Sequence, residues 1–433
     1  MTITPVRVSP IIIQLIRKFG GASVFVAAGR LSFLVLVIVA GRLVPSTEFG
    51  LFMVALATSQ ILGIALTGGT GPAAQLVVAD GISRNRPAVV IGFVRFTVVL
   101  TMSLSVSVSA LFLAVSYVAR GWIGSNSALS VLGGTGMLLV PMAMSTVREY
   151  VARALGLIHL SFAPRDIYWT LLLCALLAIL PLARIHFVAI AAITLFIIET
   201  LFWAVIWRNA LAGIWHRRRD MRRYHGKWLK TSLWMMSNFV AGFSFERIDT
   251  LAVGLLGSLD AAGVYGVANR VAPLISLCQR FVVPVALPAI AKANAAGDAK
   301  GVRSEIQHGL IISLLMAGPL FIGIQLFAPY VMAVFGPRFV SGAATLRILA
   351  VAHFALAMQG TLGAALTAAA SPSIYSRYAW TALSVTAVVL LIATPRFGTA
   401  GAATGAAVGI CCLFIAMSLT IWRRFYSVRG TAA

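Results

Sequence analysis

GRLVPSTEFGLFMVA, residues 41–55, returns as GLLGSLDAAGVYGVA at residues 254–268. One ungapped offset of 213 residues pairs Gly41 with Gly254, Leu43 with Leu256 and Gly50 with Gly263. The same offset pairs Phe52 with Tyr265, Val54 with Val267 and Ala55 with Ala268. Each copy joins the end of one long apolar segment to the start of the next. The chain reads as two halves built to one plan.

The segments flanking both copies are too apolar for a water-soluble particle. Of 433 residues, 60% are hydrophobic and 10% charged, against about 45–50% and about 25% in soluble domains. Mean hydropathy is +0.97. This excludes a soluble enzyme, a disulfide-stapled secreted domain and a disordered chain. Apolar runs long enough to cross a bilayer are expected near 20–41, 49–68, 88–118, 127–147, 160–181, 186–207, 232–257, 262–288, 305–334, 342–369, 374–394 and 399–422. The fold class is therefore all-α and polytopic, with about twelve spans. An even number of spans separates the two copies, so they share one orientation and form a parallel repeat, with any central site between the halves. The expected division is 1–208, a linker at 209–230, and 231–433.

Charge sets the orientation. The chain carries 34 basic and 11 acidic residues, a net charge of +23. Counted on alternate sides of the spans, 23 of the basic residues, Arg148 among them, fall on the side of the termini and five on the other. Cytoplasmic loops collect Lys and Arg, so both termini are expected in the cytoplasm. The linker HRRRDMRRYHGKWLK, 216–230, interleaves aromatic and basic residues as expected of a segment on an anionic membrane surface; nucleic acid is not an expected partner. The N-terminal apolar run lacks a small-residue cleavage site and reads as a retained helix. The four cysteines lie in apolar stretches without metal spacing.

Charges within the spans are expensive and mark pairs or pathways. Six arginines are embedded: Arg30, Arg95, Arg247, Arg270, Arg280 and Arg347. Arg30, Arg247 and Arg270 fall near mid-span; Arg95 and Arg347 can snorkel to an interface. The embedded acids are Glu199, Glu246 and Asp249. Glu246 and Asp249 are three apart and share a helix face, so they need a partner from another helix, a proton or a coupling cation. Arg338, in a loop on the outer side, is expected to be silent on substitution. No Ser/His/Asp arrangement, metal-spaced cluster or phosphate-cradling glycine loop is present, so neither catalysis nor a cofactor is expected.

RIDTLAVGLLGSLDAAGVYGVANRVAPL (247–274) resembles the seventh-to-eighth helix signature of the O-antigen-type polysaccharide flippases. GRLVPSTEFGLFMVALAT (41–58) resembles their first-to-second helix signature, and FGTAGAATGAAVG (397–409) their final hairpin. These belong to the multidrug/oligosaccharidyl-lipid/polysaccharide exporter superfamily. The resemblance implies two six-helix lobes in a V around a central cavity that opens alternately to cytoplasm and periplasm. The implied cargo is an undecaprenyl-pyrophosphate-linked oligosaccharide, moved across a bacterial inner membrane; membrane lipids, a polymerase and export machinery are the implied partners. Arg30, Arg247, Arg270 and Arg280 are the candidate cargo-binding residues, because arginine pairs with phosphate in a bidentate way. Glu246, Asp249 and Glu199 are candidates for ion pairing or for a coupling ion. Two alternatives stand beside this reading: a multidrug cation antiporter, which wants an acidic cavity, and a membrane-embedded polymerase or glycosyltransferase, which wants a large outer loop.

Overall fold

The computed structural model describes residues 10–124, 126–179, 186–208, 247–369 and 372–426, with a few positions between 226 and 236. The described residues form helices and turns without a strand. Among them, ten helices are long and apolar enough to cross a membrane. The N-terminal half contributes α1 (Pro10–Leu43), α2 (Ser46–Leu66), α3 (Thr70–Ser83), α4 (Pro87–Ile123) and α5 (Ser127–Ala154). It continues with α6 (Ile158–Ile179) and α7 (Phe187–Ile206). The C-terminal half contributes α8 (Ile248–Leu256), α9 (Leu259–Val271), α10 (Gln279–Ala295), α11 (Ala299–Ala333), α12 (Ala343–Ala369) and α13 (Pro372–Ile421). Most of the expected seventh span, Glu246 included, lies outside the described residues. The eleventh and twelfth expected spans both fall within Pro372–Ile421, as two helices that meet at a kink at Gly398, whose φ of 57° is the left-handed conformation that favours glycine. The stretch between the second and third expected spans is largely α3, entered through left-handed turns at Gly68 and Gly69.

Local chemistry sets several helix starts. Asn126 accepts from the backbone N–H groups of Ala128 and Leu129 at 2.7 and 3.3 Å, capping α5. Ser258 accepts from Ala261 N–H at 3.1 Å, capping α9. The repeat is visible here: α2 begins at Ser46 and α9 at Leu259, the same 213-residue offset. Each copy's second helix is also interrupted, by the Gly68–Gly69 turn in one and by a 3-10 segment, Ala272–Cys278, in the other.

The two copies meet. A Cβ on Gly50 would overlap the Leu259 carbonyl, and one on Gly263 would come within 3.4 Å of the Gly50 Cα. Small residues let helix backbones approach closely where lipid provides no hydrophobic drive. Around this crossing a single buried core runs through both halves, from Leu36, Phe52 and Trp169 to Tyr265, Ala268 and Leu346. Outward-facing apolar residues of α4, such as Val99 and Leu111, form a lipid-facing surface. Its inner face is stitched to α5 by Ser109, whose hydroxyl donates to Gly136 O at 2.6 Å, and by Ser116, donating to Leu129 O at 2.8 Å.

Candidate functional site: charges within and between the lobes

Three groups of embedded charges organise the interior. The first lies wholly in the N-terminal half. α5 continues past its apolar stretch, so Arg148 is a fully buried helix residue and not the cytoplasmic cation its position suggests. Its Nε donates to Glu199 Oε2 at 2.7 Å and Nη2 to Oε1 at 3.0 Å, a bidentate pair with side chains 0% and 3% exposed. Its Nη1 donates to the carbonyls of Leu160 and, at 3.0 Å, Ser161. The reason is local. Leu160 O would normally accept from the residue four further on, which is Pro164 and has no N–H. Arg148 supplies the missing donor, and a π turn, Pro164–Trp169, follows.

The network extends outward from that pair. Glu149 pairs with Arg153 and, at 3.2 Å, with Arg165, which also holds Asp166 at 2.9 Å. Arg153 sits over the rings of Tyr150 and Phe162 at 5.0 and 4.9 Å. Three arginines and three acids make the cluster neutral. Asp166 reaches α1, where a Cβ on Gly29 would lie 2.6 Å from its own Cβ.

The second group centres on Asp249, 4% exposed on α8. Tyr265 of α9 donates its hydroxyl to Oδ2 at 2.7 Å, and Thr250 N–H donates to Oδ1 at 2.6 Å. The Asn269 amide donates to both carboxylate oxygens at 3.4 Å and to Thr250 Oγ1 at 3.1 Å. Tyr265 and Asn269 are one helical turn apart and present one face to the acid. No Lys, Arg or His among the described residues forms a salt bridge with Asp249. The Arg247 charge nonetheless acts on it.

The third group draws on both halves. Arg30 and Phe33 are three apart on α1 and share a face. Arg270 of α9 lies over the Phe33 ring at 4.2 Å, so Arg270 and Arg30 look into the same space. Arg30 and Arg247 both act electrostatically on His353 of α12, whose Nδ1 lies 3.2 Å from the Ser276 hydroxyl. The Arg247 Nε is buried and has no hydrogen-bond partner among the described residues. Arg30 and Arg247 thus share the surroundings of His353, and Arg270 lies over Phe33, three residues after Arg30 on α1. Arg280 is exposed at the start of α10 and joins none of these contacts. His353 gave no sequence signal beyond being a lone histidine in an apolar span.

A bundle with ten helices long and apolar enough to cross a membrane among its described residues, and with ion pairs buried inside it, is a multi-pass membrane protein. The family described as polysaccharide biosynthesis protein matches residues 38–341. The chain belongs to that family. It is 24% identical over 169 residues to the "Probable low-salt glycan biosynthesis flippase Agl15" of Haloferax volcanii; the match covers 39% of this chain and 36% of that protein. Two solved structures share the fold. One is an inward-facing multidrug resistance MATE family transporter of the MOP superfamily, with TM-score 0.73, 16% identity, and coverage of 95% of this chain and 100% of that one. The other is the lipid II flippase MurJ in an inward closed conformation, with TM-score 0.71, 13% identity, and coverage of 93% and 87%.

Proposed function

We propose that the protein flips an undecaprenyl-pyrophosphate-linked polysaccharide repeat unit from the inner to the outer leaflet of a bacterial cytoplasmic membrane, by alternating access of two lobes. The grouping of Arg30 and Arg247 around His353, with Arg270 stacked on Phe33 of the opposite half, carries this reading. A polar diphosphate sugar cannot cross hydrocarbon unaided, and the guanidinium fork matches phosphate oxygens two at a time. An arginine at bilayer depth costs at least ~2.5–3.5 kcal/mol without compensation. Glu149, Asp166 and Glu199 pair with Arg148, Arg153 and Arg165 in the N-terminal network. Arginines gathered between the lobes favour an anionic cargo over a cationic drug, although a multidrug transporter shares the fold. Membership of a polysaccharide biosynthesis family and the flippase relative support the same class of cargo.

Asp249 fits the coupling group. It is a buried carboxylate held by neutral donors, able to exchange a proton or a small cation without breaking a salt bridge. Glu199, clamped by Arg148, fits the structural alternative.

The test is flipping of a lipid-linked diphosphate oligosaccharide in vesicles, read by the headgroups accessible to an impermeant reagent. Arg30→Ala, Arg247→Ala and Arg270→Ala should each impair flipping, with lysine restoring only part of it. Wild-type rates in all three alanine variants, or proton-driven efflux of a cationic dye by the wild type, would count against the cargo assignment.

A further inference from the structure

The end of the molecule that holds the Gly50–Gly263 crossing carries a second set of contacts between the lobes, which the cargo site does not use. Arg338 lies in a 3-10 turn, Pro337–Gly342, between α11 and α12. Its Nη2 donates to the carbonyl oxygens of Gly41 and Val44, at 2.5 and 2.9 Å. Both carbonyls lie at the C-terminal end of α1, in the opposite half. Arg42 of α1 returns the contact: its Nη2 donates at 2.7 Å to the carbonyl of Val334, the residue that caps the C-terminal end of α11. Beneath them Phe339, against which the Arg338 guanidinium packs at 4.9 Å, meets Phe49 of α2 edge-on at 5.7 Å.

The last carbonyls of a helix lack partners within it and carry partial negative charge. Here each half lends an arginine to a helix end of the other. Such caps exist only while the lobes are together on this side.

Arg338 has a second partner within reach in its own half. The turn that carries it packs on α9, with Gly342 against the Val264 side chain, which a Cβ there would approach to 2.6 Å. Asp260 lies one helical turn before Val264 on the same face of α9. It is exposed, it is in the first turn of that helix, and its charge already acts on Arg338.

We infer that Arg42 and Arg338 form a two-armed latch holding this side of the protein shut, and that Arg338 passes to Asp260 when the lobes part. The exchange keeps the guanidinium partnered in both states. A conformational equilibrium shifts only through contacts that differ between its states, and these are such contacts. The inference rests on the alternating-access part of the proposed function and not on its cargo.

The experiment uses Ala262→Cys, at a fully buried position of α9 beside the crossing, in protein whose native Cys174, Cys278, Cys411 and Cys412 have been replaced. The rate of labelling by a water-soluble maleimide in nanodiscs reads the opening of this side. Arg338→Ala and Arg42→Ala should each raise the rate by roughly tenfold, the scale expected for losing charged hydrogen bonds. Asp260→Asn, a surface change that leaves the latch intact, should lower it. Opposite signs separate a switch from simple destabilisation. If Asp260→Asn raises the rate like the arginine variants, or if Arg338→Ala leaves it unchanged, the latch is refuted. Should Arg338→Ala not yield folded protein, Arg338→Lys, which retains the charge but offers one point donor, must give an intermediate rate. This labelling pattern in protein whose wild type flips no lipid-linked diphosphate oligosaccharide refutes the cargo reading and supports the latch.

Discussion

Glu199→Gln should cost more than Arg148→Met, although the two substitutions break the same ion pair. In the first variant Arg148 stays charged, since guanidinium does not lose its proton in proteins. It keeps its contacts to the Leu160 and Ser161 carbonyls but remains fully buried without a counter-charge. Breaking a buried pair from one side costs about 3–5 kcal/mol. In the second variant the stranded Glu199 can take up a proton, and the chief loss is the donor to Leu160 O, about 1–3 kcal/mol for an unsatisfied carbonyl. The double variant removes both charges and should be more stable than Glu199→Gln alone. A further change supports the local account: Pro164→Ala restores an N–H four residues after Leu160. In the Arg148→Met background it should recover about 0.5–1.5 kcal/mol. The assay is reversible unfolding in mixed micelles followed by tryptophan fluorescence, with flipping measured on the same preparations. Equal costs for the two single variants, or a double variant no better than Glu199→Gln, would refute the reasoning. A stable double variant that no longer flips would move Glu199 from structure to coupling.

Two further outcomes follow from the geometry. Gly50→Ala places a methyl group into the Leu259 carbonyl, so α2 and α9 must separate. About 1–3 kcal/mol should be lost from the shut state, and labelling at the Ala262→Cys position should rise; unchanged labelling would show that the crossing yields without cost. Asp249→Asn keeps an acceptor for Tyr265 while deleting the exchangeable charge. It should leave folded yield near wild type and abolish any dependence of flipping on proton or sodium gradients, and a retained gradient dependence would exclude Asp249 as the coupling group.

The architecture was legible because its signals are periodic. Long apolar runs marked the helices, and a repeat of small residues and turn residues marked the two copies that prove to touch at Gly50 and Gly263. The ionic interior was less legible, for a physical reason. Arg148 directly follows Val147, the last residue of its expected span, where an arginine can as well snorkel to the interface as turn inward. What decides is Glu199, 51 residues away on another helix, together with a proline that leaves one carbonyl bare. Arg338 misled in the same way. As a loop cation it reads as solvated, and its partners are carbonyls nearly 300 residues earlier, which no spacing rule marks. His353 is polar in an apolar span, but only the approach of Arg30 and Arg247 gives it a setting.

The neutrality of the N-terminal network has an electrical consequence. Carrying a unit charge through a potential of 100 mV involves ~2.3 kcal/mol of work. Arg148, Arg153 and Arg165 move together with Glu149, Asp166 and Glu199, so a rocking N-terminal lobe drags no net charge through the field on their account. The arginines between the lobes stand outside this neutral network. In the proposed flipping cycle any voltage sensitivity then falls to charges outside this network, and a diphosphate cargo that cancels the interlobe arginines would make its own crossing nearly electroneutral.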